Sequence, residues 1–112
     1  MRVEGSIKAQ DGRAIAGALV ALQYGSRARF ESADANGSFR VSILNEPLGP
    51  APVRMTVSAR GYGTLETQLP ASADYRCEVS LGQQTEAPPP PVRWERICIK
   101  SDMGMRTPDT RR

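Results

Sequence analysis

The sequence predicts an all-β fold, a seven-stranded β-sandwich with immunoglobulin-like Greek-key connections, followed by an extended C-terminal tail. Three observations lead to this prediction. Apolar and polar residues alternate with a period of two through most of the first 81 residues, and no stretch has a helical period. Turn-forming pairs such as Asp11-Gly12 and Asn36-Gly37 separate the alternating stretches at near-regular intervals. A run of prolines from residue 88 to residue 91 then marks a change in composition.

Each alternating stretch predicts one strand with a single buried face. The predicted strands start near residues 3, 18, 27, 38, 53, 64 and 75. Residues 27–32 and the strand that begins at Ser38 are expected to form a hairpin closed by Asn36-Gly37. The stretch 64–69 is rich in threonine and is typical of an edge strand, whereas residues 46–52 hold too many prolines for a central strand. The aromatic residues are expected to alternate mostly into the core: Tyr24, Phe30, Phe39, Tyr62 and Tyr75.

Composition divides the chain into a sandwich at residues 1–81, a proline-rich linker at 82–91 and a tail at 92–112. The proline run favours a polyproline II conformation, which would act as a stiff spacer. Through residue 91 nine basic residues balance nine acidic ones, and after it six basic residues face three acidic ones. This excess is too small and too dispersed for a nucleic-acid surface, so no nucleic-acid partner is expected.

The N-terminus lacks the features of a signal peptide, and no stretch approaches the length of a membrane span. A cytoplasmic protein at synthesis is therefore expected, with later incorporation into a virion or secretion machine left open. In a reducing compartment Cys77 and Cys98 would be free thiols. Cys77 shares a face with Tyr75 and Val79, so a small buried side chain is the favoured interpretation. A Cys77–Cys98 bridge that ties the tail to the domain is the alternative, and it requires an oxidising environment.

Three motifs occur in order: residues 15–20 (IAGALV), residues 34–41 (DANGSFRV) and residues 57–62 (VSARGY). Together they resemble the carboxypeptidase regulatory-like domain family, whose members have a transthyretin-like seven-stranded sandwich. The resemblance covers about residues 3–81. It implies a folding, spacing or docking role beside other proteins rather than catalysis.

The motif residues also have structural roles that follow from their chemistry. Gly17 would permit a bulge or tight entry into the second strand, and Gly61 would end a strand. Asp34 would cap a turn in which Asn36 and Gly37 supply positive φ angles, ahead of the core residue Phe39. The ring of Tyr62 would then fold back on the sandwich, with its hydroxyl group bonded to backbone.

The residue types argue against catalysis and cofactor binding. The chain has no histidine, which removes the commonest general base and metal ligand. Asp34 and Asn36 are similar to part of a calcium loop, but the bidentate glutamate is missing, so a turn is favoured. No zinc spacing is present. The chain is therefore expected to be no enzyme and to hold no metal or cofactor.

The tail carries the candidate partner-binding residues Arg93, Trp94, Arg96, Ile97 and Ile99. Exposed apolar residues invite aggregation, so these side chains should be covered. One possibility is an extra strand over residues 92–100 on the same sandwich, and the other is insertion into a protein partner. The spacing Pro88-x-x-Pro91-x-Arg93 matches a ligand of polyproline grooves, although a plain hinge is favoured.

These observations predict a non-catalytic structural or docking module, a subunit of a larger assembly such as a phage particle or a contractile secretion apparatus. The C-terminal tail would anchor it to a protein partner. The alternative is a module that binds carbohydrate or peptide, which would need an exposed aromatic platform on one sheet. The sequence does not indicate the oligomeric state.

Overall fold

The computed structural model describes residues 1–43, 51–71, 73–85 and 89–101, and in them the protein is all-β. Its eight strands are β1 (Arg2–Ala9), β2 (Leu19–Tyr24), β3 (Arg27–Ser32), β4 (Ser38–Ser42), β5 (Val53–Ser58), β6 (Leu65–Leu69), β7 (Tyr75–Leu81) and β8 (Cys98–Lys100). A single 3-10 turn, Trp94–Arg96, precedes β8. The first seven strands lie where alternation predicts them, and β8 comes from the tail.

The strands form two four-stranded sheets, which confirms the predicted two-layer sandwich. One sheet has the order β4-β1-β7-β8 and the other has the order β3-β2-β5-β6. All pairs are antiparallel except the central pair of the first sheet, in which β1 and β7 run parallel. The polar strand β6 lies at an edge, as its composition indicates.

The core lies between the sheets and is built mainly from aliphatic side chains. Its fully buried members include Val3, Ile7, Val20, Leu22, Ile43, Val53, Met55, Val57, Leu69, Tyr75 and Leu81. Burial of each such side chain contributes about 1.5–3 kcal/mol to the hydrophobic stabilisation. Phe39 is also buried, at 5% exposure.

The expected hairpin between β3 and β4 is wrong. β3 pairs with β2 through the two-residue turn Gly25-Ser26, whereas β4 pairs with β1 in the opposite sheet. The hairpin between β2 and β3 forms instead because β2 ends just before Gly25-Ser26, and closing a two-residue loop costs little chain entropy. The Asn36-Gly37 turn therefore carries the chain from one sheet to the other.

The expectation that Phe30 faces the core is also wrong. The two-residue turn sets Tyr24 opposite Arg27, so the register places Phe30 opposite Ala21 on the outer face of its sheet. Phe30 is 62% exposed, and every other residue of β3 is exposed as well. The length of the turn, rather than the sequence of β3, therefore determines which of its side chains face the core.

The turn between the sheets depends on Asp34 and Gly37. The Asp34 carboxylate accepts hydrogen bonds from the backbone N–H groups of Asn36 (2.9 Å) and Ser38 (3.0 Å). Gly37 has φ 77°, and a Cβ there would lie 2.5 Å from the carbonyl oxygen of Ile7. The Gly37 carbonyl in turn accepts a hydrogen bond from the Ile7 N–H group (2.8 Å). The turn thus sits directly against β1 and has no room for a side chain.

The remaining motif residues also lie at turns. Gly17 and Gly61 have φ values of 77° and 85°. Tyr62 packs against the core at its margin and pairs with Gln83 in an isolated bridge. The hydroxyl-to-backbone hydrogen bond expected of Tyr62 is made instead by Tyr75. The proline-rich loop falls largely outside the described residues.

Replacement of Gly37 with alanine should destabilise the protein more than replacement of Gly17. Both glycines have φ 77°, but nothing lies within 4 Å of a Cβ at Gly17. Each variant therefore bears the conformational cost of positive φ, about 1 kcal/mol. Only Gly37→Ala also pushes a methyl group against β1, so its free energy of unfolding in urea should fall by at least about 1 kcal/mol more. Equal losses would show that the turn has room to move.

Candidate functional site

The C-terminal segment, defined here as residues 89–101, runs along one side of the sandwich. The Val92 N–H group donates to the carbonyl of Glu66 on β6 (2.9 Å), and the Thr67 hydroxyl donates to the Val92 carbonyl (2.7 Å). The chain then makes the 3-10 turn and joins β7 as strand β8. The segment therefore connects the edge of one sheet to the edge of the other.

Thr67 makes this connection specific. It is fully buried and is the one buried polar side chain among the described residues. A buried hydroxyl without a hydrogen-bond partner costs about 1–3 kcal/mol. Because its acceptor is the carbonyl of Val92, the C-terminal segment both covers this hydroxyl and satisfies it.

Cys77 and Cys98 form a disulfide between β7 and β8, so the free-thiol interpretation is wrong. The two residues face each other across the ladder with their Cα atoms 4.0 Å apart. The flanking contacts Glu78 N–H to Ile97 carbonyl and Ser101 N–H to Asp74 carbonyl show that Cys77 and Cys98 form a non-hydrogen-bonded pair. Side chains approach most closely at such pairs. Both cysteines are buried, as expected for Cys77, but no sequence pattern indicates the register in which the tail pairs with β7.

Trp94 lies against the sandwich rather than in solvent. Its ring meets the ring of Tyr75 edge-to-face, with the centroids 5.2 Å apart and the planes at 73°. Tyr75 is fully buried, and its hydroxyl donates to the Pro70 carbonyl (2.7 Å). Burial raises the pKa of this hydroxyl above its ordinary value. Ile97 also packs against the core.

The other three candidate residues of the tail point outward. Ile99 is 65% exposed, and Arg93 and Arg96 are exposed as well. Arg93 lies 3.5 Å from the carboxylate of Glu95. The Glu95 backbone N–H group, followed by Arg93, holds the pKa of this carboxyl below its ordinary value. The structure therefore divides the five residues into two that cover the core and three that remain available, and partner binding by them stays a prediction.

A row of charged residues leads to Ile99 across the outer face of its sheet. The register places Arg40, Glu4, Arg76 and Ile99 side by side on β4, β1, β7 and β8. The Glu4 carboxylate contacts both Arg40 (3.4 Å) and Arg76 (3.2 Å) and lines an open depression of about 530 Å³. Sequence reasoning missed this row, because its members come from four separate strands and only the register brings them together.

The edge of β8 offers little backbone for pairing. The Arg76–Ile99 pair is two residues away from a hydrogen-bonded pair on each side of the β7–β8 ladder, and such pairs alternate along an antiparallel ladder. It is therefore a hydrogen-bonded pair itself, so the N–H and C=O groups of Ile99 point toward β7. Only the backbone groups of Cys98 and Lys100 point away from the sheet. A partner at this edge would therefore gain more from side chains than from a β-ladder.

The prolines that precede Val92 are exposed. Pro89, Pro90 and Pro91 lie on the surface, and Arg93 has φ −73° and ψ 135°, in the polyproline II region. Pro88, the first residue of the polyproline-groove spacing, lies outside the described residues. Recognition by such a groove therefore stays a prediction.

Within the described ranges, no three His, Cys, Asp or Glu side chains come together in a way that could hold a metal ion. Asp34 is occupied by backbone N–H groups, as described above. The described part of the chain also has no helix long and apolar enough to span a membrane.

Reduction of the disulfide should lower the free energy of unfolding by about 3 kcal/mol, because the bridge closes a loop across a sequence separation of 21 residues. Urea unfolding followed by circular dichroism, with and without dithiothreitol, measures the difference. The double variant Cys77→Ser/Cys98→Ser is the control, since dithiothreitol should not change its midpoint. An unchanged midpoint in the wild-type protein would contradict a stabilising bridge.

Thr67→Val should lower the free energy of unfolding by about 1–2 kcal/mol, because the Val92 carbonyl loses its donor while the side-chain volume is kept. Thr56→Val on β5 is the matched control, since Thr56 lies on the outer face and should change stability little. Chemical denaturation of both variants makes the comparison. Equal effects would mean that the C-terminal segment is not held by this hydrogen bond.

No family model and no curated protein matches the chain. Among solved structures it is similar to catechol 1,2-dioxygenase from Acinetobacter sp. inhibited by bound mercury, with TM-score 0.57 and 15% identity over 82% of this chain and 57% of that one. It is also similar to 3-chlorocatechol 1,2-dioxygenase from Rhodococcus opacus, with TM-score 0.56 and 15% identity over 74% of this chain and 59% of that one. The wild-type Acinetobacter radioresistens catechol 1,2-dioxygenase gives TM-score 0.56 and 16% identity over 96% of this chain and 56% of that one. The chain thus spans less than two thirds of these enzymes, and the likeness shows a shared β-sandwich fold alone.

Proposed function

We propose that this protein is a non-catalytic docking module within a larger protein assembly, and that it contacts its partner through the exposed side of the C-terminal segment. One observation carries the proposal. A disulfide, a buried threonine and a tryptophan fix this segment to the sandwich, yet Ile99 remains 65% exposed. A side chain held on a rigid strand loses little conformational freedom on binding, which favours affinity.

The surroundings of Ile99 define the chemistry of the partner. Arg76 lies beside it on β7, and Arg93 and Arg96 are exposed on the same segment. Arginine is favoured at interfaces because its planar group pairs with carboxylates. The partner would therefore offer an apolar pocket for Ile99 surrounded by acidic side chains.

We place the module in the carboxypeptidase regulatory-like family and in an assembly such as a phage particle or a contractile secretion apparatus. The β-sandwich and the three ordered motifs support the family, and its immunoglobulin-like Greek-key topology belongs to the same proposal. Disulfides persist in oxidising surroundings. The Cys77–Cys98 bridge therefore favours a part of the assembly that is exposed outside the reducing cytoplasm.

The absence of catalysis belongs to this proposal too. The structural neighbours are enzymes that act on catechols, but one fold supports many functions. Oxygen chemistry normally needs a metal or an organic cofactor. This chain has no histidine, and its two cysteines are bonded to each other. Its donor set therefore gives little support to a dioxygenase.

A carbohydrate- or peptide-binding module is the second candidate, and the exposure of Phe30 favours it. This ring lies on the outer face of its sheet, where an aromatic side chain could stack on a sugar or pack on a peptide. In the described part of the chain, Leu19 on β2 is the other large apolar residue exposed on this face. Robust hits on a glycan array that disappear in Phe30→Ala would rank this candidate first.

Docking predicts that Ile99→Asp and Arg96→Glu release the chain from its assembly without unfolding it. Sedimentation of extracts from the source cells through a gradient, with detection of the tagged chain, measures incorporation. Each variant should move at least about tenfold more of the chain into the light fractions, since loss of a central anchor costs about 2 kcal/mol or more.

Leu19→Asp is the matched control, because it places the same charge at an exposed apolar position on the opposite sheet. It should sediment as the wild-type chain does. Deletion of the tail is a poor test, since it also removes β8 and the disulfide. Wild-type sedimentation of Ile99→Asp, or a wild-type chain that never enters a heavy fraction, would contradict the proposal.

A further inference from the structure

Strand β3 is an open edge of the second sheet. Among the residues that the structure describes, it pairs with β2 on one side only, and all six of its own residues are exposed. Open edges tend to pair with further strands unless something prevents it. The question is which strand this edge fits.

The register determines which backbone groups are free. The Ala33 N–H group donates to the Ala18 carbonyl (2.8 Å), so residues 18 and 33 form a hydrogen-bonded pair. Hydrogen-bonded pairs alternate along an antiparallel ladder. Arg27, Arg29 and Glu31 therefore direct their backbone groups toward β2. Ala28, Phe30 and Ser32 direct theirs away from the sheet, where a new strand would lie.

We infer that this edge pairs with β3 of a second copy of the chain, in an antiparallel arrangement centred on Phe30. In this register Phe30 faces Phe30 of the second copy, and Ala28 faces Ser32. All three outward-directed residues of each copy then exchange backbone hydrogen bonds. The two four-stranded sheets become one continuous sheet of eight strands.

Charge complementarity selects this register and this partner. Centring the pairing on Phe30 places Arg29 opposite Glu31 of the second copy, and the two-fold axis repeats the pair. A shift by one residue of the centre toward Arg29 would oppose two arginines, and a shift toward Glu31 would oppose two glutamates. Like charges directly opposite each other destabilise a sheet, whereas opposite charges stabilise it.

The same geometry places the exposed apolar side chains together. The two Phe30 rings, each 62% exposed in the single chain, would lie side by side on the outer face. Charged residues on an edge usually prevent pairing with other chains. Here the order Arg29-Phe30-Glu31 opposes like charges in the registers centred on Arg29 or Glu31. In the register centred on Phe30 it sets each arginine opposite a glutamate.

Sedimentation velocity of the intact chain at low ionic strength tests the inference. A one-strand interface is small, so a weak dimer that grows with concentration and weakens with salt is expected. Arg29→Glu alone and Glu31→Arg alone oppose like charges at both pairs, and each should dimerise at least about tenfold more weakly. An equimolar mixture of the two variants restores both opposite pairs, so it should associate more than either variant alone.

Two further variants control for nonspecific effects. Arg60→Glu makes the same change in net charge at an exposed position outside β3, and it should dimerise as the wild type does. Phe30→Pro removes an N–H group that points away from β2, so it should abolish the dimer while circular dichroism shows a folded protein. A wild-type chain that stays monomeric to about 1 mM would overturn the inference. So would a mixture that associates no more than its components.

Discussion

The parallel pairing of β1 with β7 is the contact on which the rest of the structure depends. These two strands form the centre of their sheet, with β4 on one side and β8 on the other. A Cβ on Gly5 would collide with the backbone of Cys77, so the two strands meet there with no space for a side chain. Parallel strands need a long connection, and here the whole β2–β6 region supplies it. The two outer strands of this sheet, β4 and β8, are therefore placed directly by this pair.

That pairing also explains why the C-terminal segment belongs to the sandwich. β7 has β1 on one side, and its other side would be an open edge without β8. Asp74, just before β7, accepts the Arg2 N–H group through its carboxylate (2.8 Å) and the Ser101 N–H group through its carbonyl (2.8 Å). The first and last strands are thus held at a single residue. The apolar tail residues that the sequence left without a place, Trp94 and Ile97, fill the side of the sandwich that these contacts create.

The positions of the strands could be predicted from the sequence because a period of two is a local property. Pairing is not local, and it was predicted less well. Residues 34–37 do form a turn, but their sequence does not indicate whether the next strand returns to the same sheet or crosses to the other. The outward direction of Phe30 follows from the length of the Gly25-Ser26 turn, and the Arg40-Glu4-Arg76 row follows from the register of three strands. The disulfide was not favoured because bridges are rare in reducing compartments. The contact between the two cysteines depends on β8, and a strand of three residues is too short to be recognised from alternation.

The hydrogen bond between Thr67 and the carbonyl of Val92 has a consequence for the order in which the protein is made. The ribosome releases the first seven strands before the residues that complete their packing, because the partner of Thr67 is synthesised 25 residues later. A nascent chain that ends near residue 81 lacks the acceptor of the Thr67 hydroxyl, the strand that pairs with the outer edge of β7 and the bonding partner of Cys77. Chaperones and proteases act on such features, so a chain interrupted before residue 89 would be distinguished from one that includes the C-terminal segment. Residues 89–101 therefore decide when the packing of this sandwich is complete.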